Sequence, residues 1–341
     1  MNRFGAGRLA SSRKQTLEEK MKLKLSVSIS PRATDDELLF ARQLGAECVY
    51  TWVPDSHMDV ASLTELRQKV DDAGLVLHNV GNMGVGKCDK IQLALPERDE
   101  RIEAFKQFLR NLSAAGIHIT TFTWEQAGVW SSENRGSSRG ASARCVEMHE
   151  LEQRPFTHGR EYSEEEIWDN FAYFMREITP VAEETGVRLA LHPNDPPVRI
   201  LGGVPCLIRS FDSYKRAFET AGSDALGMEF CIGCWLEGGD RFGDVEAGLR
   251  WCSEQGRICL VHFRNVSAPL PNFTETFLDN GYKDMYPLMK ILVESKFEGT
   301  ITLDHTPNFV QHAGRGSGTA YAIGYMRALL ERAEAECGIE E

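Results

Sequence analysis

The chain has 341 residues, 42% of them apolar and 26% charged, an ordinary globular composition long enough to bury a core without covalent staples. A net charge of −12 and a pI near 5.3 argue against nucleic acid or an anionic membrane as partner, since both need a basic footprint; no stretch reaches the ~18 apolar residues of a membrane helix. Nine cysteines, odd in number and irregularly spaced, read as mostly buried thiols of a reducing compartment, so a cytoplasmic protein is expected.

Residues 1–22 are polar and basic with no apolar run, and read as a flexible leader rather than a secretory signal. Beyond them, short β-branched runs alternate with amphipathic ones. A strand is expected at Lys24–Ser30 and a helix at Thr34–Leu44, then Glu47–Val53 with Val60–Ala73, Leu75–Val80 with Glu97–Ala115, and Ile117–Trp124 with Ser163–Thr185. The second half continues with Val187–His192 and Ser210–Thr220, Leu226–Cys231 and Asp244–Glu254, Ile258–Arg264 and Asp284–Ser295, and Thr300–Asp304 and Thr319–Ala335. Several helices open on Asp, Ser or Thr, which suits an N-cap, and Gly74, Gly116 and Gly186 stand where a helix should stop. Eight β-then-α units predict a single α/β domain, a closed parallel (β/α)₈ barrel (TIM barrel) over 23–335 with a tail at 336–341. The alternative, a doubly wound open sheet, calls for a Gly-rich phosphate loop after the first strand, where this chain reads SPRATDD. Residues 125–162, rich in Ser, Gly, Arg and Glu and without periodicity, form the one long βα connection. On a barrel such a segment is expected as a lid loop over the face where active sites are built.

Potential ligands stand at strand ends. His192 ends the fifth strand in LALHPNDPP, Cys231 the sixth in GMEFCIGC, and His262 the seventh in CLVHFRN; Asp304 and His305 end the eighth in ITLDHTP. Taken singly, each has a plainer explanation: a Cys is more often a small buried hydrophobe, a strand-end His a hydrogen-bonded structural residue, and CIGC a redox or zinc-ribbon pair. Together, four consecutive strands each deliver a ligand type to the same rim. A thiolate, imidazoles and a carboxylate suit a divalent transition metal, whereas Mg²⁺ or Ca²⁺ would call for several carboxylates. Arg264 and Asn265 follow His262 directly; Arg264 offers the planar donor fork that holds a carboxylate, or it makes a solvated salt bridge. Asp195 beside His192, and Arg135, Arg139 and Arg144 in the lid, are further substrate-binding candidates.

The segments LALHPNDPP, FCIGCWLEGG, VHFRN and LDHTP, with LPERDERIEAFKQFLRNLSAAGI and GTAYAIGYMRALL, resemble the metal-dependent mannonate dehydratases, relatives of the xylose-isomerase-like barrels, from about Lys22 to Leu330. The resemblance implies a hydro-lyase of carbohydrate (hexuronate) catabolism that dehydrates a sugar acid, D-mannonate to 2-keto-3-deoxy-D-gluconate or a related aldonate. It implies Mn²⁺ or Fe²⁺ held by Cys231, His262, Asp304 and His305, with Tyr321 as the active-site tyrosine. Proton transfer is expected of Tyr321 and His192, and carboxylate binding of Arg264. The chain departs from the family pattern in the first strand, SVSIS, after the third, GNMGVG with no His, and after the fourth, GVWSSENRGSSRG. The metal half matches and the substrate half does not. A metal-dependent sugar isomerase or epimerase working through an enediol is therefore the alternative, and a non-catalytic sugar-binding barrel the third reading. Homo-oligomerisation is left open.

Overall fold

The computed structural model describes residues 23–310, 314 and 316–339, so the expected leader lies outside the described residues. Eight parallel strands form one sheet: β1 (Lys24–Ser28), β2 (Cys48–Val53), β3 (Val76–Asn82), β4 (Ile119–Thr123), β5 (Arg188–His192), β6 (Leu226–Cys231), β7 (Ile258–Phe263) and β8 (Thr300–Leu303). Their order is β3-β2-β1-β8-β7-β6-β5-β4, the succession of a barrel with its seam between β3 and β4. Those two strands lie side by side, and Asn79 joins them. Its Oδ1 accepts from the Thr121 backbone N–H (3.1 Å) and its Nδ2 donates to the Thr121 hydroxyl (2.7 Å).

Between the strands run α1 (Asp35–Gln43), α2 (Val60–Asp72), α3 (Arg98–Ala114), α4 (Glu164–Thr185), α5 (Phe211–Ala221), α6 (Val245–Glu254), α7 (Tyr286–Glu294) and α8 (Ser317–Glu336). The expected caps form: the side chains of Thr34, Asp59, Ser163, Ser210 and Asp244 each accept from a first-turn N–H. Gly186 ends α4 in the left-handed region (φ 65°), where a Cβ would be strained. Strands β6 and β7 are buried at every position, because helices cover a parallel sheet outside and side chains fill it inside. Phe105, Phe122 and Phe174, with ring centroids 5.3–6.3 Å apart, fill the space between α3, β4 and α4. No described helix is long and apolar enough to cross a membrane. All nine cysteines are free thiols, eight of them buried.

The segment expected as a bare loop after β4 contains local structure. Gly136–Ser138 pairs antiparallel with Ala141–Ala143 across a turn in which Arg139 (φ 49°) and Gly140 (φ 83°) both take positive φ, the geometry of a two-residue hairpin. Cys145–Glu147 then pairs with Asn272–Thr276 of the β7–α7 connection, which pairs in turn with Asn265–Val266. Three-residue strands are too short to leave a periodic signal, which is why the sequence shows none.

Candidate metal and active site

Strand register sets the site. Cys231 pairs with His262 across β6 and β7, and Thr123 pairs with His192 across β4 and β5. All of these are the last or near-last residues of their strands, so their side chains reach the carboxyl-end rim. His192, Cys231 and His262 bring one ligand atom each to within 4.8 Å of one another. Asp304, just past β8, adds a carboxylate: Oδ2 lies 3.8 Å from Cys231 Sγ and Oδ1 lies 3.5 Å from His262 Nδ1. His305 stands a step outward and is half exposed. Its Nδ1 donates to Glu275 Oε1 (3.0 Å) and its Nε2 lies 3.3 Å from Asp304 Oδ1.

Two features show that this donor set fits a metal. His192 Nδ1 is 2.7 Å from the Pro193 carbonyl; a carbonyl only accepts, so Nδ1 carries the proton and the neutral ring turns its Nε2 lone pair away as a ligand. The buried His262 ring finds carboxylates rather than backbone groups on its nitrogens: it lies against Glu229 Oε1 and near Asp304. A buried imidazole set among a thiol and two carboxylates is a donor set that suits a divalent ion.

The electrostatics agree. Burial would lower the His262 pKa, yet the Glu229 and Asp304 carboxylates hold it well above the usual range. Burial would likewise lower His192, and Cys231 with Glu229 and Glu125 pushes it up to about 9. The Cys231 thiol, which burial alone would raise, is held well below its usual value by Cys234, Arg264 and the two histidines. The cluster therefore favours thiolate and bound cations, and a divalent ion can take the place of the protons.

The cavity above these groups holds about 160 Å³, smaller than the ~300–1,000 Å³ of drug-sized sites and suited to a small metabolite. His192, His262, Asp304, His305, Asp195 and Glu229 line it, together with Tyr50, Trp52, Lys87, Thr123, Glu125 and Val129. Glu125 accepts from the Asp195 N–H (2.8 Å), and burial, only partly opposed by His192, raises its pKa. Glu229 accepts from the Thr121 hydroxyl (2.6 Å), so a polar chain runs from Asn79 through Thr121 and Glu229 to His262.

The chain matches the family model of D-mannonate dehydratase (UxuA) over residues 37–144 and 139–337. It belongs to the D-mannonate dehydratase family. It is 29% identical over 310 residues to the mannonate dehydratase of Streptococcus pneumoniae (strain 70585), covering 80% of this chain and 83% of that protein. It is 27% identical over 320 residues to that of Thermotoga petrophila RKU-1, covering 81% and 87%. The crystal structure of mannonate dehydratase from Streptococcus suis serotype 2 superimposes with a TM-score of 0.79 at 25% identity, over 93% of this chain and 96% of that one. The D-psicose 3-epimerase of Clostridium cellulolyticum H10, at a TM-score of 0.62 and 13% identity over 90% and 99%, shares the barrel.

Within this dehydratase-family barrel, the residues expected to touch substrate have the following surroundings. Arg264 is wholly buried and each of its nitrogens is engaged: Nε with Asp304 Oδ2 (2.7 Å), Nη1 with Glu237 (2.5 Å) and Glu275 (2.8 Å), Nη2 with Asp195 (3.1 Å). No donor remains for a substrate carboxylate. Arg144 is similarly consumed by Asp195 (2.6 Å), Glu275 (3.1 Å) and the Trp130 carbonyl (2.7 Å). Asn265, also buried, spends its amide on the Leu278 and Lys283 carbonyls. Asp195 does line the cavity, with both oxygens held by these arginines. Arg135 is at the hairpin, bonded to Ser142. Tyr321 lies off the cavity: its ring packs on Phe277 and Phe309, and its hydroxyl accepts from Arg139 (3.2 Å). The sequence reading missed Glu229, Tyr50, Trp52, Lys87 and Glu125. Glu229 had a usable signal, because it precedes Cys231 by two and so shares its face of β6.

Proposed function

We propose that this chain is a metal-dependent hydro-lyase that dehydrates a sugar acid, with D-mannonate, giving 2-keto-3-deoxy-D-gluconate, as the first substrate to test. The observation that carries the reading is the gathering of His192, Cys231 and His262 within 4.8 Å, with Asp304 beside them, at the rim of a barrel of the D-mannonate dehydratase family. These four are the proposed ligands. His192, expected as a proton carrier, moves into the ligand set, and His305, expected as a ligand, moves out of it. The thiolate favours Mn²⁺ or Fe²⁺ over Mg²⁺. When bound, the ion supplies Lewis-acid stabilisation of charge developing beside the substrate carboxylate.

The remaining work falls to two proton carriers that face the cavity outside the ligand cluster. Glu125, whose pKa burial raises, takes the proton from carbon 2 as its carboxylate, a better base than an ordinary carboxylate near neutrality. His305, its pKa raised chiefly by Asp304 and its ring fixed by Glu275, gives a proton to the departing 3-hydroxyl. Carbon 2 thus loses a proton and carbon 3 a hydroxide, one water in all, and the enol left behind becomes the 2-keto-3-deoxy acid. Family membership favours this over the isomerase or epimerase alternative, for which the barrel likeness alone speaks.

The test loads the full chain with Mn²⁺ or Fe²⁺ and offers a panel of aldonates and aldoses in D₂O. A 2-keto-3-deoxy product is expected. Deuterium entering carbon 2 without loss of water, or no turnover of any aldonate with metal demonstrably bound, defeats the reading.

A further inference from the structure

A sugar acid brings a negative charge into a cavity whose wall already carries Glu125, Asp195, Glu229 and Asp304. Beyond the proposed ion, a side-chain cation facing the acid group would offset that charge. The two buried arginines nearest the metal cluster cannot, since carboxylates and carbonyls already occupy their donors. Among the cavity-lining residues, Lys87 alone carries a fixed positive charge as Lys or Arg. Its ammonium makes no close ion pair among the described residues; it stands over the face of Trp52, 4.8 Å from the ring centroid, near enough to Glu125 for the two charges to interact.

The wall under Lys87 is built for that arrangement. A Cβ on Gly81 would come within 2.6 Å of the Trp52 ring and one on Gly86 within 3.3 Å, so these two glycines leave the room in which the indole lies flat. The turn Met83–Gly86 that delivers Lys87 is fixed by Asn82, whose Oδ1 accepts from the Gly84 and Val85 N–H groups (both 2.9 Å). The segment GNMGVGK thus sets a lysine and an aromatic plate side by side in the cavity lining.

We infer that Lys87 binds the substrate carboxylate, with Trp52 as the apolar plate beside it, in the cavity that Glu125 also lines. This rests on the sugar-acid reading above. An ammonium on a flexible stem is a point charge rather than a fork, so it anchors the acid group without dictating one orientation.

The experiment compares wild type, Lys87→Met and Lys87→Arg as full-length Mn²⁺-loaded proteins. It measures KM and kcat for D-mannonate and the inhibition constant of D-mannitol, which keeps the hydroxylated chain and lacks the carboxylate. Lys87→Met should raise KM by about 10- to 100-fold, the loss of one charge-assisted contact, with kcat changed less than about threefold. Lys87→Arg should restore most of the affinity, and D-mannitol should bind all three alike. A KM shift below about threefold in Lys87→Met, or an equal loss for D-mannitol, overturns the assignment. If wild type turns over no aldonate, the sugar-acid reading fails on its own. Calorimetric titration of D-mannonate then decides Lys87 separately: a roughly 10-fold weaker Kd in Lys87→Met upholds it and an unchanged Kd overturns it.

Discussion

Cys231 shows how much one side chain's meaning depends on its neighbours. Alone it is a buried thiol like seven others in the chain; beside Cys234, Arg264, His192 and His262 its pKa is held well below a thiol's usual value, which suits a ligand. Cys231→Ala should therefore lose metal, with affinity down by at least about 10- to 100-fold on dialysis and metal analysis. The apo protein's Tm should drop only by the few degrees that a small core deletion of about 1 kcal/mol costs. Retention of stoichiometric metal by this variant would remove Cys231 from the shell. The proton carriers are tested the same way. Glu125→Gln and His305→Asn should each lower kcat by about 10²- to 10⁴-fold while leaving metal content intact. Because burial raises the Glu125 pKa, the acid limb of the wild-type profile should lie above the ordinary carboxylate range. A limb at an ordinary carboxylate pKa would dissociate Glu125 from the reaction.

At the scale of elements, the site is a knot of connections. Arg264, just past β7, ties down Asp195 from the β5 loop, Glu237 from the turn after β6, Glu275 from the β7–α7 connection and Asp304 from the end of β8. Arg144 brings the long β4–α4 connection into the same knot. Gly233 makes this fit, because a Cβ there would lie 2.3 Å from Arg264 Nε; the glycine of CIGC is room for a guanidinium. Burial, then Asp195, pushes the Glu237 pKa well above the usual carboxylate range. Arg264→Met would leave several buried carboxylates without their cation, and urea denaturation should show a loss of about 3–5 kcal/mol. Adding Asp195→Asn to that variant should recover part of the loss. An unchanged midpoint in Arg264→Met would mean the network contributes nothing to holding the loops.

For the whole molecule, the relevant lever is acid. His78 on β3 turns toward the amino end of the barrel, with Nδ1 3.2 Å from the Thr300 hydroxyl, and burial, then Lys24, lowers its pKa to about 4. A histidine depressed in the fold stabilises above its unfolded pKa of about 6.5 and loses that contribution as pH falls toward 4. Burial would raise Glu275, but Arg264 and His305 bring it down to about 2. Its contribution is full above the unfolded carboxylate pKa and goes as pH falls from there toward 2. Thermal denaturation of the apo protein should thus show Tm declining first between pH 6.5 and 4, and His78→Gln should flatten that first decline. A His78→Gln curve parallel to wild type would assign the decline to other groups.

The order and length of the eight βα units were legible in the sequence, because helix and strand periods, caps and terminal glycines are local properties of the chain. The barrel followed from them, since eight successive β-then-α units suit a closed parallel sheet. The strand-end ligand types were legible too, because parallel strands bring their carboxyl ends to one rim whatever lies between. Which of those side chains the proposed ion would take was not. His192 and His305 differ in the direction each ring is turned, fixed by the Pro193 carbonyl and by Glu275, and strand period carries no such information. The fate of Arg264 was also beyond the sequence: VHFRN offers a donor fork, and only the convergence of four separate connections shows that carboxylates of the protein itself fill it. Lys87 and Trp52 meet because two glycines clear a space for an indole from the neighbouring strand, a three-dimensional volume that sequence spacing does not encode.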